Sequence, residues 1–120
     1  GFTPLVMATY SDQYEVTKYF LESGADVNAK DGAGNTALMG VCFKGYLEML
    51  KLLLAHGADV DAQNNTGATA LIYAATFGQV GIAKTLLEAG ADKKIKDNRG
   101  SQAIDHAIHQ GNAELIGLLK

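Results

Sequence analysis

The chain contains three histidines, and histidine is the side chain that most often binds metals or transfers protons near neutral pH. His106 and His109 are three residues apart in a segment predicted to be helical, a spacing that lets both reach one metal ion. Asp105 is the only other suitable ligand nearby in sequence, and His56 belongs to a different part of the chain. We therefore predict ordinary surface or capping histidines, with no metal and no cofactor.

Cys42 is the only cysteine, which excludes an internal disulfide and a structural thiolate zinc site. A single thiol suits a reducing compartment, and we expect a cytoplasmic location. The glycines of residues 32–34 lack both a preceding buried strand and the Gly-Lys-Ser/Thr ending of a phosphate-binding loop. None of these groups indicates an enzyme.

The elements that must position these residues repeat with a period of 33 residues. A shift by this period aligns one threonine and one Gly-Ala-Asp phrase in each of the first three copies: Thr3, Thr36 and Thr69, and residues 24–26, 57–59 and 90–92. Units of this size cannot bury their own apolar face and must stack on their copies. We predict a single domain over residues 1–120, built from a partial repeat (1–30), two full repeats (31–63 and 64–96) and a last repeat (97–120).

The period also gives a structural reading of the candidate nucleophile and carboxylates. Cys42 occupies the position of Thr9 and Ala75, so we interpret it as a small buried packing residue rather than a reactive thiol. Aspartates that recur at the start of a loop usually accept hydrogen bonds from local backbone N–H groups. The residues concerned are Asp26, Asp59 and Asp92.

Composition excludes two further classes of partner. A hydrophobic content of 48% fits a chain with a packed core, and a net charge of -3 offers no basic surface for nucleic acid. No apolar run approaches the roughly 20 residues that a membrane-spanning helix needs. We therefore expect a soluble domain with neither a nucleic-acid nor a membrane partner.

The local pattern predicts two short helices and a loop in each repeat. Thr36 is a suitable N-cap, with a hydroxyl that can accept from the first turn of a helix running from Ala37 to Lys44. Gly45 falls where the chain needs a positive φ to turn back. A return helix follows from Leu47 to about Ala55, with an apolar face wide enough to touch neighbours on both sides. Residues 58–67 are polar and predict a projecting loop or short hairpin.

The repeat unit resembles an ankyrin repeat over nearly the whole chain. Residues 3–5 match the first three positions of the family's Thr-Pro-Leu-His opening, and residues 24–29 carry its Gly-Ala-Asp-Val-Asn-Ala phrase. The resemblance implies an all-α solenoid of stacked antiparallel helix pairs, with projecting β-hairpin loops and a concave face. The opening histidine, which ties adjacent loops together in the family, is replaced in all copies, by Val6, Met39, Ile72 and Asp105.

The two ends of the array differ. Lys120 replaces the leucine of the earlier copies, as the water-facing side of a C-terminal capping repeat requires. The first repeat stays apolar where an N-terminal cap is expected to be polar, at Met7, Tyr14 and Val16. We expect the parent protein to continue on the N-terminal side of Gly1, because an uncovered apolar end favours self-association. Unless the uncapped first repeat self-associates, we expect a monomer.

In ankyrin-like proteins the partner lies against the loop tips and the exposed side of the first helices. The resemblance therefore implies these candidate partner-binding residues: Phe2, Tyr10, Asn35, Phe43, Lys44, Thr66, Thr76, Phe77, Arg99 and His109. Tyr10, Phe43 and Phe77 form a ladder of aromatics in successive repeats that could anchor an extended or helical segment. Alternatively, the rings fold between neighbouring helices as additional core. Tyr73, inside a first helix, is a weaker candidate.

The favoured hypothesis is a non-catalytic protein–protein interaction module that binds its partner through shape and contact. An alternative is a regulatory or targeting segment of a larger enzyme whose catalytic domain lies N-terminal to Gly1, and the uncapped first repeat motivates it. A third hypothesis is a structural element that self-associates through its apolar N-terminal end. An intrinsic enzyme would require a polar cluster that breaks the repeat pattern, and the sequence contains none.

Overall fold

The computed structural model describes residues 3–120, which form eight α-helices arranged as four consecutive pairs. The helices are α1 (Pro4–Tyr10), α2 (Tyr14–Glu22), α3 (Ala37–Lys44), α4 (Leu47–Ala55), α5 (Ala70–Thr76), α6 (Val80–Glu88), α7 (Ala103–Gln110) and α8 (Ala113–Leu119). Only two or three residues join the helices of a pair, which forces them to run antiparallel. The predicted all-α repeat architecture is confirmed.

The pairs stack into two layers. Helices α1, α3, α5 and α7 pack side by side in chain order, and each also packs against the second helix of its own pair. In a second layer, α6 contacts both α4 and α8. The stack is elongated, with extents of 39 × 25 × 22 Å. An apolar core runs without interruption from one repeat to the next.

The helices of the second repeat begin and end where the sequence predicts them. α3 spans Ala37–Lys44 and α4 spans Leu47–Ala55, as expected. Gly45 ends α3 with a left-handed backbone (φ 78°), and its N–H donates to the carbonyl of Val41 at 2.8 Å. Glycine adopts this conformation without the steric cost that a Cβ brings.

One detail of the predicted capping is wrong. Thr36 has the extended backbone of an N-cap residue, but its buried hydroxyl has no hydrogen-bond partner in the described part of the chain. The equivalent hydroxyls of Thr3 and Thr69 do accept backbone N–H groups, at 3.1 and 3.2 Å. The second repeat therefore differs from its neighbours at this position.

Cys42 is part of the continuous core. Its side chain is fully buried, and this burial raises the pKa of the thiol well above its usual range. The packing interpretation is confirmed, because a buried thiol that stays protonated is a weak nucleophile.

The loops are shaped by short hydrogen bonds from side chain to backbone. Asp26, Asp59 and Asp92 each accept from the N–H two residues further on, at 2.9 to 3.0 Å, which confirms their predicted turn role. Adjacent loops are tied by backbone contacts, such as the N–H of Asn65 on the carbonyl of Ala33 at 3.0 Å. Over residues 3–120 the loops are tight turns without paired strands, so the β-hairpins expected from the sequence are not formed there.

The ends of the described stack differ in polarity. Lys120 is exposed, and Met7 and Val16 in the first repeat are exposed to 58% and 43%. The assignments of a C-terminal cap and of a continuation before Gly1 stay predictions. None of the helices in residues 3–120 combines the length and apolar character that crossing a bilayer requires.

Candidate partner-binding surface

Aromatic side chains from three repeats meet at the ends of the first helices. Tyr10 is the last residue of α1, Phe43 is the next to last of α3, and Phe77 caps the C-terminus of α5. The rings of Tyr10 and Phe43 are nearly parallel, with centroids 6.4 Å apart. Phe43 meets Phe77 edge to face at 4.8 Å. The ladder predicted from three separate repeats is therefore a contiguous row of rings.

Tyr73 extends this row, although the sequence ranks it as a weaker candidate. It lies one helical turn before Phe77 in α5, and the two rings stack with centroids 6.1 Å apart and an interplanar angle of 9°. The Tyr73 hydroxyl accepts from the amide of Asn64 at 3.0 Å and donates to Asn35 at 3.4 Å. We call Tyr10, Phe43, Phe77 and Tyr73 the aromatic row.

The rings of the row are held in place and yet remain accessible. Tyr10, Phe43 and Phe77 are 38%, 42% and 44% exposed. Each edge-to-face or stacked pair contributes roughly 0.5–1.5 kcal/mol beyond simple area burial. Tyr10, Phe43 and Phe77 thus pack on one another at the surface of the stack, whereas Tyr73 is partly buried against the core.

Two adjoining grooves lie beside the row. The Gly40 groove, about 480 Å³ in volume, has Thr36 and Gly40 in its lining, together with Asp31, Asn35 and all four rings of the row. The His106 groove, about 400 Å³, is lined by the loop residues Thr66, Asp97 and Arg99 and by His106. Tyr73 and Phe77 line both grooves and separate them.

The other predicted site residues are distributed around these grooves. Thr76 lines the His106 groove, and its hydroxyl donates to the carbonyl of Ile72 at 2.8 Å. Lys44 places its ammonium 4.7 Å from the centroid of the Tyr10 ring, a cation–π contact. His109 is exposed in the last turn of α7 and lines neither groove. Phe2 lies outside the described residues.

A polar contact that sequence reasoning missed organises the loop before α7. Nε2 of His106 lies 2.9 Å from Oδ2 of Asp97, and Oδ1 of the same carboxylate accepts from the N–H groups of Arg99 and Ser101 at 3.0 Å. Partial burial raises the pKa of Asp97, but the bonds from Ser101, His106 and Arg99 outweigh it, so the pKa is lowered overall. Asn64 and Tyr73 occupy the same two positions in the preceding repeat. An alignment of the repeats would therefore have marked Asp97 and His106 as a candidate polar pair.

The chemical groups on this face are aromatic rings beside polar loop residues. Over residues 3–120 no group of three or more His, Cys, Asp or Glu side chains is placed to hold a metal ion. His106 is engaged by Asp97. Exposed aromatic rings beside loop polar groups are typical of a protein–protein contact surface.

Fold and surface together define a helical repeat solenoid with an exposed contact face. A family model for ankyrin repeats, in three copies, matches residues 5–97, and the chain belongs to the ankyrin repeat family. No curated protein matches the sequence significantly. Ankyrin repeats are in general protein–protein interaction modules, and domains built from them are typically non-catalytic.

Proposed function

We propose that the face formed by the aromatic row binds a segment of another protein and that the chain itself performs no catalysis. The observation that supports this most directly is the row itself, in which three of the four rings stay about 40% exposed while packing on one another. Large, rigid aromatic side chains supply most of the energetic anchors in protein interfaces.

The packing of the row favours binding for an entropic reason. A side chain that is free in solution loses rotamer freedom on docking, typically about 0.5–1.5 kcal/mol. Phe43 is already confined between Tyr10 and Phe77, so a partner that covers it incurs less of this loss. The remaining exposed area of each ring then contributes to affinity when water leaves it.

The shape of the surface suits a partner segment that crosses the repeats. Because Tyr73 and Phe77 line both grooves, one extended or helical segment can enter the Gly40 groove and continue into the His106 groove. The stack is 39 Å long, which accommodates a standard interface of roughly 800 Å² per partner.

The proposal is tested by crosslinking from opposite faces of the protein. A photoreactive amino acid replaces Phe43 on the row or, as the control, Glu48 on α4, whose side chain is 77% exposed on the other layer. We expect a discrete crosslinked partner from position 43 and none from position 48. A partner captured equally well at position 48 contradicts the proposal.

The captured partner is then titrated against variants of the protein. We expect the double variant Phe43→Ala/Phe77→Ala to bind at least tenfold more weakly while losing less than about 2 kcal/mol of stability, because the rings pack mainly on each other. Tyr19→Ala removes a ring that is 66% exposed on α2 and should leave affinity unchanged. Unchanged binding by the double variant, or a collapse of its fold, would show that the rings are structural.

A further inference from the structure

The second repeat lacks a side chain that the next two repeats place against their first residue, which is Asn64 in the third repeat and Asp97 in the last. In the last repeat His106 contacts Asp97 at 2.9 Å, and in the third the Tyr73 hydroxyl meets Asn64 at 3.0 Å. The equivalent pair in the second repeat is Gly40 and Asp31, and Gly40 has no side chain to offer. The space that His106 or Tyr73 fills elsewhere is part of the Gly40 groove.

The carboxylate of Asp31 is therefore only half engaged. Oδ1 accepts from the N–H groups of Ala33 and Asn35, both at 2.9 Å. No hydrogen bond or ion pair from residues 3–120 reaches Oδ2, which is the oxygen that His106 contacts in Asp97. Among the described residues that line the groove, Asp31 is the only Asp, Glu, Lys, Arg or His.

A second polar group in the same groove also lacks a partner. Thr36 is only 3% exposed, and its Oγ1 makes no hydrogen bond within the described chain. The equivalent hydroxyls of Thr3 and Thr69 both accept backbone N–H groups. Buried polar groups in proteins are normally satisfied, so an unsatisfied one that lines a groove indicates a missing hydrogen-bonding partner.

Aromatic rings line the same groove as these two polar groups. The Tyr10 ring lies so close to the backbone of Gly40 that a Cβ there would sit 3.3 Å from Cδ1 of the ring. Phe43, Tyr73 and Phe77 contribute the other rings. Ring faces attract cations, and the ammonium of Lys44 already lies over Tyr10.

We propose that the Gly40 groove binds an arginine side chain of the partner protein, an inference that rests on the proposed function. The guanidinium donates to Oδ2 of Asp31, in the place that the imidazole of His106 takes in the last repeat. Arginine fits better than lysine, because its planar group both pairs with a carboxylate and stacks on aromatic faces. The groove thus recognises a planar cation.

The chemistry can be tested without knowing the partner, by titrating N-acetyl-arginine methylamide into the ¹⁵N-labelled full chain. The backbone amides of Ala33 and Asn35, which donate to Asp31, and that of Gly40 report on the groove. We expect saturable shifts with a dissociation constant on the order of 1–10 mM, as befits a ligand of this size. The neutral, nearly isosteric citrulline analogue and the lysine analogue should each bind at least about fivefold more weakly.

Two variants and one control locate the site. Asp31→Asn keeps an oxygen for the loop N–H groups, as Asn64 does naturally, and should weaken arginine binding at least about fivefold. Gly40→His supplies the side chain of the last repeat and should abolish binding by filling the groove, with a small shift of the Tyr10 ring. Asp97→Asn makes the same chemical change in the other groove and should leave the titration unchanged.

The outcomes separate this inference from the proposed function. Equal binding of arginine and citrulline, equal binding of lysine, or full binding by Asp31→Asn would each overturn the arginine site. A partner that is lost by Phe43→Ala/Phe77→Ala but retained by Asp31→Asn would leave the aromatic row as the binding face and refute the inference alone. A partner that binds Asp31→Asn more weakly, and that also loses affinity when its own arginine is replaced by lysine, supports both.

Discussion

The imidazole of His106 contacts the carboxylate of Asp97 across a distance of 2.9 Å, and it thereby joins the first turns of α7 to the loop that precedes them. The Asp97 side chain is only 10% exposed, so solvent screens this contact little. In the last repeat, the pair supplies both carboxylate oxygens of the first residue, Asp97, with partners. In the second repeat, Gly40 has no side chain to take the place of His106, and Oδ2 of Asp31 is left without a partner among residues 3–120.

We expect stability to depend on pH through Asp97. Its pKa is lowered in the folded protein, so its contribution is complete above the ordinary aspartate range near about 4 and is lost as pH falls through the lowered folded value. Urea unfolding of the intact protein and of Asp97→Asn at several pH values measures this. The variant should be less stable by about 1 kcal/mol at pH 6, and the gap should narrow at an acidic pH below the ordinary aspartate range.

The amide in Asp97→Asn can still accept from the loop N–H groups, as Asn64 does in the preceding repeat. The pH-dependent part of the difference therefore reports on the charge of the carboxylate. A gap that is equally large at both pH values would contradict the role of the ionised form.

Two threonines at equivalent helix starts should respond differently to the same substitution. Thr69→Val removes a hydroxyl that accepts from the N–H of Ile72 at 3.2 Å, and we expect it to cost about 1 kcal/mol. Thr36→Val removes a buried hydroxyl without a partner, and we expect a neutral or slightly stabilising effect. The denaturant midpoints of unfolding measure both effects, provided that the denaturant dependence of the unfolding free energy is unchanged. Equal losses of stability in the two variants would show that Thr36 is hydrogen-bonded in solution.

Gly34 and Gly57 allow the contribution of loop packing to stability to be measured apart from that of backbone strain. Gly34 and Gly57 both have positive φ, at 79° and 85°. A Cβ on Gly34 would lie 2.6 Å from Oδ1 and 2.9 Å from the backbone N of Asn65, whereas one on Gly57 would meet nothing within 4 Å.

We expect Gly57→Ala to cost about 1 kcal/mol from strain alone, and Gly34→Ala to cost at least about 1 kcal/mol more because it pushes adjacent loops apart. Thermal or urea unfolding of the two variants gives the difference. Equal costs would mean that the contact between the loops contributes little to stability.

Cys42 should be inert to thiol reagents in the folded protein. It is fully buried, and burial raises the pKa of its thiol, so the reactive thiolate is scarce at neutral pH. We expect modification by a disulfide reagent to be at least about 1,000-fold slower than in denaturant, because it requires unfolding. Rapid modification of the native protein would indicate local opening of α3.

The helices and turns of this protein are encoded locally. α3 and α4 have the predicted bounds because the apolar periodicity within one repeat sets where each helix runs and Gly45 ends α3. The same holds for the turns at Asp26, Asp59 and Asp92, where each side chain bonds a neighbour two residues away. Such contacts can be inferred from the residues that make them.

The binding surface could be predicted only in part. Tyr10, Phe43 and Phe77 were identifiable as aromatics at variable positions, but their mutual contacts depend on how closely neighbouring repeats stack. The place of Tyr73 in the row depends on Asn35, which lies 38 residues away in the chain. Periodicity predicts that these residues are neighbours without giving their distances.

By itself, the sequence determined the repeat, the helix boundaries, the turns and the packing role of Cys42, since all of these follow from short-range hydrogen bonds and apolar periodicity. Only the tertiary structure decided that the rings form one row, that Thr36 is left unbonded, and that the absence of a side chain at Gly40 leaves Asp31 beside a groove. The physical reason is that a groove is made by residues from three repeats, and its shape is set by their stacking.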